Sequence, residues 1–558
     1  MVAGRLWRTI GLVFIVALLA FNFISVGKYA SYPWWHQHDC DSDPLYVAQA
    51  VTLVNDGPFD CIHHPGATVS AGHGFAYRVA SATAGWHPEF LDLRSSVPGL
   101  SGSELLEDAT RFSRWLSFAV FAVFIASVYG FLFWLTRNNV VTFLVTFFVA
   151  TSEVGIWHSR AIRPEVPSLL FSVLALWAVL ALGRSLARGE EGRFTLGSIA
   201  FGFCLALAML SKIQILPAVA ALLLLGLGIV ATIGKPGPRE GTARRLWASM
   251  TLGLIVVVLT PWWALGRPDF VTESYVLSIG YFDRLVYGSM AESFVPLVAG
   301  ILGVSLAGTI VAIVVNRRHE GSLVADRLAR AFGFVHLVAL GSLIGVYAVV
   351  APASRSFSSY VANTHHLVYG VIANTFGNVF GSGFLHHKTV DGNTVARIFD
   401  AHALGDRLLG LNIVWLIIFV ALVVIVRILA PKTADRGGYR LSLLVLSVGA
   451  VMDVVFTLRW NAQFNYYAIF SLVFYGIGMA LFLKLEWQNL RVERKRLRAT
   501  YGVAILLVGL LVSHVGFRTY ELATAPRATG ISDQAPAPML ESSKGQNPHF
   551  WIMFEESP

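Results

Sequence analysis

Runs of some twenty apolar residues, separated by short polar segments, recur along most of this chain. A helix needs ~20 mostly apolar residues to cross the hydrocarbon of a bilayer. On that measure thirteen spans are predicted, at roughly 9–27, 112–135, 139–157, 166–183, 195–210, 213–233, 248–265, 294–315, 331–352, 409–427, 441–457, 466–483 and 499–517. Backbone N–H and C=O groups in lipid must be satisfied within the segment, and these runs far exceed the length of a barrel strand, so the spans are helices. The predicted class is an all-α polytopic membrane protein. No repeat of fixed period and no inverted pair of broken helices is visible. The predicted organisation is one transmembrane domain over 1–517, followed by a tail, 518–558.

Composition agrees: of 558 residues, 55% are hydrophobic and 13% charged, with a mean hydropathy of +0.63, which excludes an ordinary soluble domain. Charge then sets orientation. With Arg5 and Arg8 inside, the inner loops are 136–138, 184–194, 234–247, 316–330, 428–440 and 484–498. That side, span ends included, holds 24 Lys and Arg against 8 Asp and Glu, and the other side 18 against 25. The imbalance is the positive-inside pattern. It accounts for the basic pI of 9.5 without nucleic acid as a partner, and the run from Arg491 to Arg498 is expected to lie beside anionic headgroups. Lys28 and Tyr29 offer no small-residue cleavage site, so the first span is expected to stay uncleaved rather than act as a signal peptide.

Polar complexity collects on the outer side, chiefly in loops 28–111 and 353–408. The first contains Asp39, Asp41 and Asp43, three acids within five residues. Pro44 to Val54 follows, with Leu45, Ala48, Val51 and Val54 on one stripe. This predicts a short amphipathic helix lying on the membrane, with Asp43 as its N-cap and Pro44 at its first position. Capping needs one acid; three suggest chemistry. Cys40 and Cys61 share this loop, and an oxidising outer compartment would permit a bridge worth ~3 kcal/mol, the alternative being two free thiols. His365-His366 and His386-His387, in the other long loop, are better read as lining a polar pocket than as metal ligands, since adjacent side chains point apart.

Charged groups at membrane depth are costly and mark functional positions by default. Three outer span ends carry them: His158 to Glu165, with Arg160 and Arg163 as outward cations and Glu165 in the first turn after Pro164; Lys212, which with Ser211 separates two apolar runs; and Arg459 to Tyr467, which includes Tyr466. Taken singly, each cation is explained by snorkelling toward a headgroup. Together with the acid cluster, they suggest a phosphate held next to a proton acceptor or a metal.

The order of these features resembles the GT-C superfamily of polytopic glycosyltransferases, in the branch of aminoarabinose transferases and protein O-mannosyltransferases. There an Asp opens a helix in a long first outer loop, followed by Tyr, Gly and His-Pro. Asp43, Tyr46, Gly57 and His64-Pro65 are similar. An Arg-Pro-acid at a span head matches Arg163-Pro164-Glu165, and a Leu-Ser-Lys with a later Pro matches Leu210-Ser211-Lys212 and Pro217. Two departures stand out. Gly66 replaces a second Pro, and Pro44 stands where many members have a second acid, which leaves Asp41 to supply it.

The resemblance implies a GT-C-like fold with juxtamembrane helices in the first outer loop. It also implies inverting transfer of a sugar from a polyprenyl-phosphate donor to a lipid, glycan or protein acceptor, at the outer face of a bacterial inner or plasma membrane. Asp43 would be the base, with Asp41 as second choice. Arg163 and Lys212, helped by Arg160 and Arg459, would neutralise the leaving phosphate. Glu165 would orient an arginine, His64 and Tyr46 would line the sugar pocket, and Tyr466 would help close it. Asp39, Asp41 and Asp43 offer hard oxygen ligands to a divalent cation, Mg or Mn, although some members work without one. The rival readings are a lipid-linked sugar flippase and a ligase that moves a whole glycan from a pyrophosphate carrier.

Overall fold

The computed structural model describes residues 43–55, 66–84, 102–190, 192–212, 215–232, 323–350, 436–460 and 468–490, with isolated positions between 13 and 32 and between 303 and 314. Within these residues regular structure is entirely helical. The helices are α1 (Asp43–Val54), α2 (Ala67–Ala84), α3 (Gly102–Thr136), α4 (Asn139–Thr151), α5 (Glu153–Arg160), α6 (Glu165–Ala187), α7 (Gly192–Ser211), α8 (Leu216–Thr232), α9 (Leu323–Val350), α10 (Arg436–Trp460) and α11 (Ala468–Leu490). Helices at α3, α6, α7 and α9 are long and apolar enough to cross a membrane, and α4 with α5 passes the same test as one span bent by 65°. Shorter apolar helices lie at Leu216–Ala231, Leu441–Met452 and Ile469–Leu485. The predicted spans 248–265, 409–427 and 499–517, and the tail, lie outside the described residues.

The chain divides into two compact units. One comprises residues 1–38, 110–170 and 382–534, the other 39–109, 171–381 and 535–558.

In the first unit, α10 and α11 form an antiparallel pair built on small residues. A side chain at Gly449 would run into the ring of Tyr475, one at Gly478 into Leu446, and Ser442 donates to the Gly478 carbonyl at 2.8 Å. The α3–α4 connection is two residues long. Arg137 takes the left-handed conformation, φ 54°, and the Asn138 side chain accepts from the Val141 N–H at 3.3 Å to start α4. Lys484 donates to the Leu135 carbonyl at 2.8 Å, satisfying an otherwise open group at the end of α3. The predicted alternation of spans puts both residues at the inner face. The span predicted at 139–157 does not run straight. Ser152 ends α4 and caps α5, accepting from the Gly155 N–H at 3.0 Å, and a side chain at Gly155 would strike the Val149 carbonyl.

In the second unit, α7 and α9 run parallel and very close. A side chain at Gly202 would collide with Val338 backbone, one at Gly341 with the Ile199 carbonyl, and one at Gly345 would meet the Phe203 carbonyl at 3.0 Å. Ser342 reaches both the Gly202 carbonyl (3.0 Å) and the Val338 carbonyl (2.9 Å). Because apolar association gains little in lipid, close backbone approach of this kind holds membrane helices together. The α6–α7 loop is narrower than predicted: Gly189 at φ 75° lets the Glu190 N–H return to the Ser185 carbonyl at 2.9 Å, and Glu190 pairs with Arg193 at 3.0 Å.

The helix pair α1–α2 corrects one expectation. All twelve residues of α1 are buried, so it is not a surface helix with one wet face. Its sequence explains this, since only Asp43, Gln49 and Thr52 break an otherwise apolar cylinder. Arg78 of α2 donates to the Val54 carbonyl at 3.1 Å, and Asn55 donates through its side chain to the Val51 carbonyl at 2.9 Å, so protein groups meet both of these carbonyls at the helix end.

Two outcomes follow from this packing. Gly341→Leu should force α7 and α9 apart at a cost of about 1–3 kcal/mol or more, seen as a lowered melting midpoint in detergent, whereas Gly72→Ala, facing open space, should leave it unchanged. His73 in α2 is 3% exposed, and burial pushes its pKa from 6.5 down to about 3. The folded protein therefore keeps His73 neutral where the unfolded chain would take up a proton. Its contribution to stability is complete above pH 6.5 and falls as pH drops from there toward 3. Melting midpoints measured between pH 7 and 4 should decline less steeply in His73→Gln.

Candidate functional site

The residues singled out from sequence fall into two groups, one in each unit. In the first, α5 ends at Arg160, and the Ala161 N–H closes it on the Trp157 carbonyl at 3.2 Å. Three residues later the Ser168 N–H bonds to the Pro164 carbonyl at 3.1 Å and α6 begins. Glu165 lies in its first turn, fully buried. This is a favourable place for an anion, because the unshared N–H groups there carry partial positive charge. Arg163 is 4% exposed, and its guanidinium lies 4.6 Å from the centre of the Trp157 ring, which in turn meets His158 edge-on at 4.9 Å. Arg160 lies 5.4 Å from the ring of Tyr29. These cations are held on aromatic faces, an arrangement that fixes direction as well as charge.

Arg114 was not singled out from sequence. It is fully buried, lies over the same Tyr29 ring at 4.5 Å, and donates to the carbonyls of Tyr29 (3.3 Å) and Tyr32. One cue was its place within the predicted span 112–135, where a charged residue is costly. A second cue was available in the polar run Gly102 to Arg111 preceding it, which extends the helix outward and leaves Arg114 well inside its end.

In the second unit, Asp43 opens α1 and is fully buried, with Tyr46 one turn on, 2% exposed. Gly66 stands immediately before α2, and a side chain there would overlap the Tyr46 ring. The glycine that breaks the His-Pro-Pro pattern is therefore the residue on which Tyr46 lies. Two residues on, the Thr68 hydroxyl meets the Ser211 hydroxyl at 2.6 Å, and Lys212, 2% exposed, follows directly at the end of α7. Beneath them Leu53, Ala67, Ala71, Leu207, Leu210 and Val349 form one apolar cluster. The first turn of α2 thus touches both the segment that carries Asp43 and the segment that carries Lys212.

Asp39, Asp41, Cys40, Cys61, Gly57, His64, Tyr466 and both histidine pairs lie outside the described residues, as do the side chains of Arg459 and its neighbours at the end of α10. Among the described residues no three His, Cys, Asp or Glu side chains gather as a metal site. The acid triad proposed for a cation has only Asp43 in that set. Cys204, within α7, is a free thiol.

Comparison with curated proteins and with solved structures gives no match. Against family models, residues 101–276 match the one described as dolichyl-phosphate-mannose-protein mannosyltransferase, a branch of the GT-C superfamily. The matched stretch contains Arg160, Arg163, Glu165 and Lys212, and ends well short of the loop at 353–408. Its apolar helices and this resemblance indicate an integral membrane protein, and the matched family is one of glycosyltransferases. Through residues 101–276 it is similar to the dolichyl-phosphate-mannose-protein mannosyltransferases, the relationship that the order of Asp43, Arg163-Pro164-Glu165 and Leu210-Ser211-Lys212 had indicated.

Proposed function

We propose that this protein transfers a sugar from a polyprenyl-phosphate donor to a lipid, glycan or protein acceptor at the outer membrane face, with inversion at the anomeric carbon. A mannosyl donor is the first to try, given the family that residues 101–276 resemble. One observation carries the reading: the α2 N-terminal turn is in contact with Tyr46, one turn from Asp43, and with Ser211, next to Lys212. A proton acceptor and a cation are what displacement of a phosphate by a hydroxyl requires.

In the proposed step the acceptor oxygen attacks the anomeric carbon. The bond from that carbon to the phosphate oxygen breaks, and polyprenyl phosphate leaves with the electron pair. Asp43, or Asp41 in second place, takes the acceptor proton. Lys212 and Arg163 offset the charge that grows on the phosphate, with Arg160 and Arg459 in supporting places. Glu165, His64, Tyr46 and Tyr466 orient the arginines and the sugar. If a divalent cation takes part, Asp41 and Asp43 would hold it through hard oxygen ligands.

In proteoliposomes supplied with radiolabelled polyprenyl-phosphate mannose and other monosaccharide donors, the wild type should release polyprenyl phosphate. Asp43→Asn should lower kcat/KM by about 10²–10⁴, and Lys212→Met by about 10², without loss of folded protein. Passage of labelled lipid across the bilayer with no donor consumed would establish the flippase instead. Consumption of oligosaccharide pyrophosphates alone would establish the ligase.

A further inference from the structure

We infer that Thr68 is a positioning residue that sets the place of Lys212, and through it the donor phosphate; this rests on the transfer reaction proposed above. The Ser211 hydroxyl has one proton and two close neighbours, the Leu207 carbonyl oxygen at 2.6 Å and the Thr68 hydroxyl at 2.6 Å. A carbonyl can only accept, so Ser211 donates to Leu207 and Thr68 must donate to Ser211. The direction of the chain is therefore fixed from Thr68 to Ser211 to Leu207, and donation by Ser211 strengthens it as an acceptor for Thr68. The backbone of the next residue is held at both ends, the Lys212 N–H bonding to the Ala208 carbonyl at 3.1 Å and the Lys212 carbonyl accepting from the Ile215 N–H at 3.2 Å.

Lys212 has a long, flexible side chain whose root is thus set by the last turn of α7, and that turn is tied across 143 residues of sequence to the first turn of α2. The same α2 turn underlies Tyr46 through Gly66. The apolar cluster of Leu53, Ala67, Ala71, Leu207, Leu210 and Val349 joins the same helices beside the hydroxyls. Loss of the Thr68 hydroxyl should therefore move the lysine rather than unfold the protein. Neither Thr68 nor Ser211 is placed in contact with substrate; both act through Lys212.

The test uses full-length protein in proteoliposomes and compares Thr68→Val and Thr68→Ser, each made in the wild type and in Lys212→Met. In the wild-type background Thr68→Val should lower kcat/KM for the polyprenyl-phosphate sugar about tenfold and leave the acceptor KM and the melting midpoint unchanged. Thr68→Ser, which keeps the donor, should restore activity. In the Lys212→Met background Thr68→Val should have no further effect. Full activity in Thr68→Val, an equal loss in both backgrounds, or failure of Thr68→Ser to rescue would overturn the inference while leaving the transfer reaction standing. A wild type that consumes no donor at all would remove the reaction and this role with it.

Discussion

Helix ends that sit where water is scarce must find partners for their open carbonyl and amide groups within the protein, and much of this structure follows from how that demand is met. Arg114 takes the carbonyls of Tyr29 and Tyr32, Arg78 that of Val54, and Lys484 that of Leu135. Arg78 and Lys484 stand at helix C-termini, where the helix dipole favours positive charge. Each also ties two elements together at a fixed height. The same need explains why hydroxyls cluster at turns: Ser152 between α4 and α5, and Ser211 with Thr68 at the end of α7.

The second organising element is the absence of side chains. Gly202 and Gly341 bring α7 and α9 to backbone contact, and Gly66 gives room to an aromatic ring. Where lipid supplies little drive for helices to associate, such approach distances determine which helices are neighbours.

Hydropathy made the helical class and most described spans legible, because a twenty-residue apolar run has few alternatives in a bilayer. It placed the head of α6 and the end of α7 to within a few residues, since Pro164 and the Ser211-Lys212 break are local signals. It missed what depends on partners. The stripe of Leu45, Ala48, Val51 and Val54 looked like one face of a surface helix, although the apolar residues between them fit burial equally well, and only the neighbours of α1 decide between the two. The bend between α4 and α5 escaped for a similar reason: Ser152 and Gly155 are unremarkable within an apolar run until the Val149 carbonyl is seen beside them. The contacts of Arg114 and Thr68 could not be read because their partners are distant in sequence, whereas the charged residues beside Pro164 declared themselves by cost alone.

The length of α3 has a geometric consequence. Its 35 residues give a rod of about 52 Å at the usual rise per residue, against a hydrocarbon core of about 30 Å. The surplus begins with Gly102-Ser103-Glu104 and continues through Glu107, Asp108 and Arg111, a sequence too polar to be taken up in lipid by tilting. The rod therefore extends beyond the hydrocarbon at its N-terminal end, where its first turns are suited to water or to protein neighbours rather than to lipid.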